Sequence, residues 1–425
     1  MVEHITVGIV GAGLSGLSCA YYLKKLGHSP VIFEKAGEPG GRCATDIYDG
    51  YLLDRGFQAL MTSYSEVKKI ARLYELDLKR FPSGVNIYDG KAWYPISNPL
   101  KHPLSIFAVR KIPFANFSDF VKMGSIYMKS AFRTVNPFFS SIGQTTEQFL
   151  EEQKLSKPFL EKFLRPFFGG IFLDPGLTTN PGIFQWTLHF FVEGVAALPR
   201  QGMGAIPRYF AKQLKPSSIR YHQNVRAVEG QNIYLESGEE IHCEKIVVAT
   251  SASQAHQLLS KLPEVPCRSV TTLYFSIDSD AFKEPPSPLL HLNGSGQGPI
   301  NHLAFVSVVQ PSYAPKRKIL VSASVISVEW QANRHLTDAA IDQLSKWFKI
   351  SSEKWHLLKR YSIADALPDQ TEPPAHQGSY SIDRSPDIFI CGEYVDHPSL
   401  NGACASGRKA ADVVHQALQR TTTPS

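Results

Sequence analysis

Residues 5–34 read ITVGIVGAGLSGLSCAYYLKKLGHSPVIFE, and this stretch decides the fold. Its first six residues form an apolar run that predicts a buried β-strand. Three glycines at GxGxxG spacing follow at once: Gly11, Gly13 and Gly16. Apolar residues at helical spacing then lead to Gly27, a residue well placed to end a helix, and a second apolar strand ends on Glu34. This order predicts an α/β fold whose first domain is of the Rossmann type.

The glycine spacing has a chemical reason. Gly11 makes the tight turn, Gly13 lets the backbone approach a pyrophosphate, and Gly16 lets helix and strand pack closely. The phosphates lie at the helix N-terminus, at Leu14 and Ser15, where free N–H groups favour negative charge. Glu34 accepts hydrogen bonds from the adenosine ribose hydroxyls and disfavours a 2′-phosphate, so NADP is excluded. The fingerprint alone does not distinguish FAD from NAD.

The next segment, KAGEPGGRCAT at 35–45, supplies the distinction. Its Gly-Gly-Arg turn resembles the second FAD motif of the flavin amine oxidase superfamily, which includes monoamine and polyamine oxidases, protoporphyrinogen oxidases and phytoene desaturases. The resemblance implies FAD as cofactor, with Lys35, Gly41 and Arg42 in its site. Arg42 offers a fork of donors to phosphate, although a surface salt bridge would explain it as well. No cysteine lies in a context that matches covalent attachment, so we expect non-covalent FAD.

The C-terminal part resembles the last FAD motif of the same superfamily. A short apolar strand ends at Gly392 and Glu393, and a helix begins after a loop. The resemblance implies that Glu393 holds the ribityl-pyrophosphate part of FAD. It also points the N-terminus of that helix at the flavin, with backbone contacts from Gly402 and Ala403. Asn401 is included with them, its alternative role being a helix N-cap.

Two internal segments complete the predicted cofactor site. Short apolar strands around 225–228, 233–235 and 240–242, followed by a buried run at 245–250, predict a β-meander. The resemblance places Val225 at the adenine and Thr250 beside the pyrophosphate, while plain strand residues remain the alternative. The segment at 54–58 resembles the strand that returns beneath the flavin, which adds three more residues: Gly56, Phe57 and Gln58.

The length of 425 residues accommodates two domains. We predict a discontinuous FAD-binding domain made of 1–81, 205–265 and 377–425, and a mixed α+β substrate-binding domain made of 82–204 and 266–376. Segments 165–172 and 198–206 resemble Gly-Gly and Gly-Met turns of the phytoene desaturase and protoporphyrinogen oxidase branch. No metal site is expected, because none of the six cysteines forms a CxxC pair.

The amino-acid composition limits the classes of partner that we expect this protein to bind. The net charge of +6 is modest, and basic residues are not gathered with base-stacking motifs, so nucleic acid is not expected. The stretch at 99–140 is rich in aromatic and basic residues, which suits either an interfacial helix on anionic lipid or a helix that covers a substrate cavity. The absence of a leader and of a long apolar window predicts a cytoplasmic protein, with peripheral membrane contact as the open alternative. Oligomeric state is left open.

The predicted activity is that of an FAD-dependent oxidoreductase or desaturase. Amine oxidases of the superfamily carry a lysine near the flavin and an aromatic before the last helix, whereas the matching positions here are Thr272 and Ser399. Both differences favour a hydrophobic, carotenoid-like or porphyrinogen-like substrate over an amine. A flavin amine oxidase, a reduced-flavin isomerase and a non-catalytic FAD-binding protein are the alternatives. No catalytic residue is identified, although three polar candidates are expected near the flavin: Arg200, Tyr394 and His397.

Overall fold

The structure is a computed structural model that describes residues 3–97, 112–131, 143–259, 262–372, 380–382 and 385–422. Its helices are α1 Leu14–Lys25, α2 Ser65–Ile70, α3 Phe117–Ala131, α4 Thr146–Glu152, α5 Lys157–Phe159, α6 Arg165–Phe172, α7 Pro181–Glu193, α8 Ala205–Lys212, α9 Ala252–Leu258, α10 Val306–Val309, α11 Val328–Ala332, α12 Leu336–Phe348 and α13 Leu400–Thr422.

Its strands are β1 Glu3–Val10, β2 Val31–Phe33, β3 Thr45–Tyr48, β4 Tyr51–Asp54, β5 Leu60–Met61, β6 Lys79–Arg80, β7 Gly84–Tyr88, β8 Trp93–Ser97, β9 Ala196–Leu198, β10 Ile219–Arg220, β11 Val225–Glu229, β12 Asn232–Leu235, β13 Glu240–Val248, β14 Cys267–Asp278, β15 Leu290–Asn293, β16 His302–Ala304, β17 Lys318–Val325, β18 His356–Pro368, β19 Ser381–Ile382 and β20 Ser385–Ile390.

The first sheet has eight strands, with β10-β2-β1-β13-β12-β11 in order and β20 and β19 added through β13. Strand β1 is parallel to both β2 and β13, and β13 is parallel to β20. Where these strands pair at the centre of the sheet, residues 8–10, 246–248 and 388–390 are buried and apolar, as in parallel strands covered on both faces. The predicted strand, turn, helix, strand unit at the N-terminus is confirmed, and Gly27 follows α1 with φ +90°.

The second sheet has seven strands in the order β18-β14-β17-β16-β15-β7-β8. It is antiparallel except between β15 and β7. Its strands come from 84–97 and 267–368, segments that contribute no strand to the first sheet within the described residues. One face packs on α12, and helices α3 to α7 form a separate apolar cluster. The two-domain boundaries stay a prediction, and the one at 376–377 lies outside the described residues.

Three local expectations are corrected. The predicted strand at 240–242 and the run at 245–250 form one continuous strand, β13, because its first half pairs with β12 and its second half with β20. Residues 165–172 are helix α6 rather than a turn, since Phe168 and Phe172 are four residues apart and both pack in the helical cluster. The strand expected through 54–58 ends at Asp54, and a loop follows.

Helix α13 returns the C-terminal part of the chain to the first turn of the fold. It packs along α1, where a Cβ on Gly407 would lie 2.1 Å from the carbonyl oxygen of Ser15. Ser18 Oγ donates to the carbonyl of Cys404 at 2.8 Å, which fixes the two helices at this short separation. All six cysteines are free, and five of them are buried fillers.

Candidate functional site

A cavity of about 1530 Å³ runs from the glycine-rich turn after β1 to the apolar cluster formed by helices α3 to α7. It is lined by segments from the N-terminus, the β-meander and the start of α13, as the sequence predicted for a single cofactor. The predicted residues that line it are Gly11, Gly13, Leu14, Ser15, Glu34, Lys35, Gly41, Arg42, Gly56, Phe57, Gln58, Val225, Thr250, Glu393 and Ala403. Those that do not line it are Gly16, Gly392, Asn401 and Gly402.

The glycine-rich turn forms an open cradle. Gly11 has φ +103°, a conformation that favours glycine, and its N–H donates to the carbonyl of Phe33 at 2.8 Å. A Cβ on Gly13 would have no atom within 4 Å, so the backbone there faces free space. Gly16 lies behind the turn, where a Cβ would be 2.1 Å from the Gly11 carbonyl oxygen. The turn therefore has room for a pyrophosphate, and Gly16 has the packing role expected of it.

Glu34 is 6% exposed and its carboxylate is already oriented. One oxygen accepts from the N–H of Ala12 at 2.7 Å and the other from the N–H of Ala36 at 2.8 Å. A carboxylate has about four acceptor positions, so both oxygens keep capacity for ribose hydroxyls. Glu34 thus joins the glycine turn to the loop after β2 and still faces the cavity.

Arg42 connects the second motif to the last one. Its guanidinium forms an ion pair with Glu393 and donates to the carbonyls of Asp365 and Ala366 at 3.0 and 3.1 Å. Burial would lower the pKa of Arg42, but the carboxylate of Glu393 outweighs burial and the pKa is raised. The guanidinium predicted to face phosphate is thus held by protein acceptors. Arg42 therefore does form a salt bridge, as the alternative had it, but with a buried carboxylate, and both residues line the cavity.

The N-terminus of α13 differs in detail from the expectation. Ser399 Oγ accepts from the N–H of Gly402 at 3.0 Å, and the Ser399 carbonyl accepts from Ala403 at 2.9 Å. Ser399 is therefore the N-cap, and Asn401 is not, because its Oδ1 accepts instead from the N–H of Glu66 at 2.8 Å. The Gly402 and Ala403 N–H groups are thus engaged within the helix cap, and Leu400 is the other first-turn residue of α13 that lines the cavity.

Two glycines of the last motif serve close packing. A Cβ on Gly402 would lie 1.9 Å from the His397 carbonyl oxygen, and one on Gly392 would lie 2.3 Å from the ring of Tyr394. The N–H of Gly392 donates to Ser406 Oγ at 2.8 Å. Neither residue lines the cavity, so their contribution is to the shape of the loop between β20 and α13.

A buried carboxylate lies directly before the segment at 55–58. Asp54 accepts from Thr45 Oγ1 at 2.5 Å, from the N–H of Met203 at 2.9 Å and from the hydroxyl of Tyr313 at 2.9 Å. Burial raises its pKa to about 6, although these hydrogen bonds oppose the rise. Asp54 thereby fixes the Gly-Met turn at 202–204 against the loop that carries Gly56 and Phe57.

The far end of the cavity is an aromatic chamber. Its walls are apolar. The rings come from α3, α5, α6, α7 and the π-helical segment between α5 and α6: Phe120, Tyr127, Phe159, Phe163, Phe167, Phe168, Trp186, Phe190 and Phe191. Among the described lining residues from 82–204 and 266–376, Asp365 is the one charged side chain. It accepts from Ser253 Oγ and sits beside Arg42, at the cofactor end.

The three polar residues expected near the flavin lie in different positions relative to the cavity. His397 lines the cavity, is 5% exposed and stacks edge-on against Trp186; burial lowers the pKa of its imidazole well below the usual value. Tyr394 is buried away from the cavity. The expectation that Arg200 lies near the flavin is wrong, because its side chain is 68% exposed and pairs with Asp77 at 3.3 Å. Thr272, at the position of the family's lysine, is fully buried in β14.

Sequence reasoning missed His302. This residue of β16 is 5% exposed, lines the cavity and contacts the ring of Phe57 edge to face at 5.5 Å between centroids. Burial lowers the pKa of its imidazole to about 4. A lone histidine in an apolar stretch carries no local signal of this position. No group of three or more His, Cys, Asp or Glu side chains in the described ranges is arranged to hold a metal ion.

The chain matches the family model of flavin-containing amine oxidoreductases over residues 14–415. A coproporphyrinogen III oxidase from Bacillus subtilis (strain 168) is 23% identical over 303 residues, which cover 62% of this chain and 63% of that protein. An L-amino acid oxidase from Cerastes cerastes is 36% identical over 94 residues, covering 22% of this chain and 17% of that protein. The matches span less than two thirds of the length of these curated relatives.

Solved structures share the fold at low identity. A putrescine oxidase bound to putrescine superposes with a TM-score of 0.70 at 15% identity, covering 96% of this chain and 98% of the other. A reduced UDP-galactopyranose mutase superposes with a TM-score of 0.67 at 12% identity, covering 99% and 96%. The predicted fold class, a Rossmann-type domain joined to a mixed α+β substrate domain, is confirmed by these likenesses.

Proposed function

The chain belongs to the family of flavin-containing amine oxidoreductases, and on that premise we propose that it holds FAD non-covalently and oxidises an apolar, carotenoid-like or porphyrinogen-like substrate. Family membership makes it an FAD-dependent oxidoreductase. The attachment of the cofactor, the residues that hold it and the substrate class are the proposal. Bound FAD supplies the acceptor for a hydride equivalent from a C–H bond placed over its ring.

The residues present fit FAD. The free space at Gly13 and the helix N-terminus at Leu14 and Ser15 suit the pyrophosphate. Glu34 has acceptor capacity for the ribose, and Arg42 with Glu393 lies where the two cofactor motifs meet. Most of the other predicted contacts line the same cavity, and this chain's contribution is to orient the cofactor and to exclude water from its substrate side.

The single observation that carries the substrate proposal is the aromatic chamber without a described cation. A carboxylate buried there would lack a charged partner, which costs several kcal/mol or shifts its pKa. An amine would lack the aromatic wall expected before α13, where Ser399 instead caps the helix. The neighbouring ring of His397 is itself buried against Trp186. The chamber therefore fits an uncharged, apolar substrate better than an amino acid or an amine.

Porphyrinogen oxidation is the second candidate. It is favoured by the likeness to the coproporphyrinogen III oxidase of Bacillus subtilis, which extends over 303 residues. A flat macrocycle suits aromatic walls, but propionate groups would need cations. The described chamber residues do not offer them, so this candidate ranks below the uncharged polyene.

The test is a reductive half-reaction under anaerobic conditions. An absorption spectrum before and after acid denaturation first establishes whether free FAD is released. Purified holoprotein is then mixed with four probes: an acyclic polyene hydrocarbon in detergent micelles, protoporphyrinogen IX, a primary amine and an L-amino acid. We expect the polyene to bleach the oxidised flavin fastest. Faster bleaching by the amine or the amino acid would refute the apolar assignment, and bleaching by protoporphyrinogen alone would establish the second candidate.

We further propose peripheral contact with a lipid surface through α3. Phe117, Val121 and Met128 are 60%, 54% and 45% exposed and fall on one stripe of the helix. Lys122 and Lys129 lie roughly 100° around the helix from that stripe, and the adjacent face on its other side lines the chamber. Val121 belongs to both surfaces, so the exposed stripe borders the cavity. This arrangement suits an interfacial helix that delivers an apolar substrate. The rest of the basic and aromatic stretch lies mostly outside the described residues.

Flotation with vesicles tests this contact. The triple variant F117S/V121S/M128S is compared with S125A, a polar change on the same exposed face. We expect wild type and S125A to float with vesicles that contain anionic lipid and the triple variant to stay in the dense fraction. Equal flotation of all three proteins would exclude α3 as the contact. Within the described residues, no helix has the length and apolar character needed to cross a bilayer.

A further inference from the structure

A neutral histidine faces the apolar chamber at its junction with the predicted flavin contacts. His302 lies in β16, is 5% exposed and lines the cavity. Its ring contacts Phe57, which follows the Gly56 turn at the cofactor end. Directly opposite in register on β17 is Ser324, which also lines the cavity. These two side chains form a small polar patch on a wall that is otherwise apolar.

The hydrogen bonds of Asn301 fix the tautomer of His302. The side-chain amide nitrogen of Asn301 donates to the carbonyl of Pro166 at 2.9 Å and lies 3.0 Å from His302 Nδ1. An amide nitrogen only donates, so Nδ1 accepts and the proton resides on Nε2. No described residue accepts a hydrogen bond from Nε2. Because burial lowers the pKa of this imidazole to about 4, the ring is neutral at ordinary pH.

The surrounding backbone preserves this arrangement. A Cβ on Gly170 of α6 would lie 2.7 Å from His302 Nδ1 and 2.9 Å from the Asn301 amide nitrogen. Gly170 therefore leaves the space that the pair occupies. Helix α6, strand β16 and the loop at 55–58 meet at this one position, so the imidazole has little freedom to turn away from the cavity.

We propose that His302, through Nε2–H, is a specificity-determining donor for one neutral oxygen acceptor on the substrate, such as a ketone, ester or ether oxygen. The inference rests on the proposed function and narrows its substrate class to apolar molecules that carry such an oxygen. A pure hydrocarbon would bury the Nε2–H group without a partner, which costs binding free energy. A carboxylate would accept the bond but would remain without a cation. A neutral oxygen acceptor accepts the hydrogen bond from Nε2–H and needs no cation beside it.

The test compares two ligands of one shape on the holoprotein. β-Ionone carries a conjugated ketone, and its analogue with C=CH2 in place of C=O keeps the carbon skeleton and removes the acceptor. Binding is followed by perturbation of the oxidised flavin spectrum. We expect wild type to bind the ketone about tenfold more tightly than the methylene analogue. H302F is expected to bind both equally, and H302Q, which keeps an N–H donor, to retain a preference for the ketone.

Nitrogen-15 NMR on histidine-labelled wild type gives a measurement that does not depend on a variant that folds. The ketone, and not its analogue, should shift the His302 Nε2 resonance, which is assigned by its loss in H302Q. Equal affinity of wild type for the two ligands, or a preference that persists in H302F, would overturn the role of His302 and leave the proposed function standing. A flavin spectrum that neither ligand perturbs would overturn the apolar site itself, and the inference with it.

Discussion

Replacement of Asp54 with asparagine should stabilise the protein at pH 8 and flatten the pH dependence of its stability. Asp54 is 2% exposed, and burial raises its pKa to about 6 despite three hydrogen bonds to the carboxylate. Asparagine has the same shape. Its Oδ1 keeps the bonds from Thr45 and Met203, and its NH2 group donates to the hydroxyl oxygen of Tyr313, which now accepts instead of donating.

The sign and the size of this stability change follow from the difference between the pKa of Asp54 in the folded state and its pKa in the unfolded state. The folded state binds the Asp54 proton more tightly than the unfolded state, whose pKa is near 3.8. The contribution of Asp54 to the free energy of unfolding is therefore fully present below about pH 4 and falls as the pH rises through about 6. A difference of roughly two units corresponds to about 3 kcal/mol, of which about half is lost between pH 5 and pH 8. The asparagine variant avoids that loss.

Urea unfolding of the holoprotein at pH 5 and pH 8 is the assay. We expect the free energy of unfolding of wild type to fall by about 1.5 kcal/mol more than that of D54N over this interval. D46N is the control: hydrogen bonds from Tyr361, Arg55 and Lys359 outweigh burial and lower the pKa of Asp46 to about 2, so Asp46 stays ionised throughout this interval. D46N should therefore be less stable than wild type by the same amount at pH 5 and at pH 8. Parallel pH profiles for wild type and D54N would show that Asp54 titrates normally and would refute the reasoning.

Three further substitutions test the cofactor site and the chamber. E34Q should raise the dissociation constant of FAD about tenfold, measured by flavin fluorescence, since a neutral amide accepts weaker hydrogen bonds than a carboxylate. E393Q leaves the Arg42 guanidinium without its ion-pair partner and should cost about 1–3 kcal/mol of unfolding free energy, a value reduced because 34% of the Arg42 side chain is exposed. G170A should destabilise the protein by about 1–3 kcal/mol in urea unfolding, because its Cβ meets His302, while FAD affinity stays unchanged.

Each of these has a matched control on the same chain. E75Q removes an acid that pairs with Arg72 on the surface and should leave both FAD affinity and stability unchanged. G124A places a methyl group on a helical glycine with no atom within 4 Å and should stabilise α3 slightly. An effect of E75Q as large as that of E34Q, or of G124A as large and unfavourable as that of G170A, would contradict the site-specific explanations.

The parts of the site that obey local rules were predictable from the sequence. The turn at Gly11, the end of α1 at Gly27 and the position of Glu34 after β2 each depend on neighbours within a few residues. The separate pieces at 225–250 and 390–403 could be assigned because each repeats a recognisable strand and turn pattern. Their convergence on one cavity is what the structure adds.

The features that were missed depend on contacts across the chain. His302 gains its position from Asn301, Gly170 and Phe57, which lie in three segments, and no periodicity connects them. Arg200 lies next to a motif in sequence, but its side chain leaves the buried strand at Leu198 and extends into solvent. Likewise, capping of α13 by Ser399 rather than Asn401 was decided by the backbone of Glu66, 335 residues earlier.

The contact between α1 and α13 has a consequence for biosynthesis. Ser18 and Cys404, which hold the two helices together, are separated by 386 positions in the chain. At roughly 5–20 residues per second, a ribosome needs on the order of 20–80 s to travel between them. During that time the nascent glycine turn and α1 lack the helix against which they pack in the folded chain. We therefore expect cofactor loading to be a late step of maturation, and a nonsense mutation before α13 to give a flavin-free chain that depends on chaperones rather than a weakened enzyme.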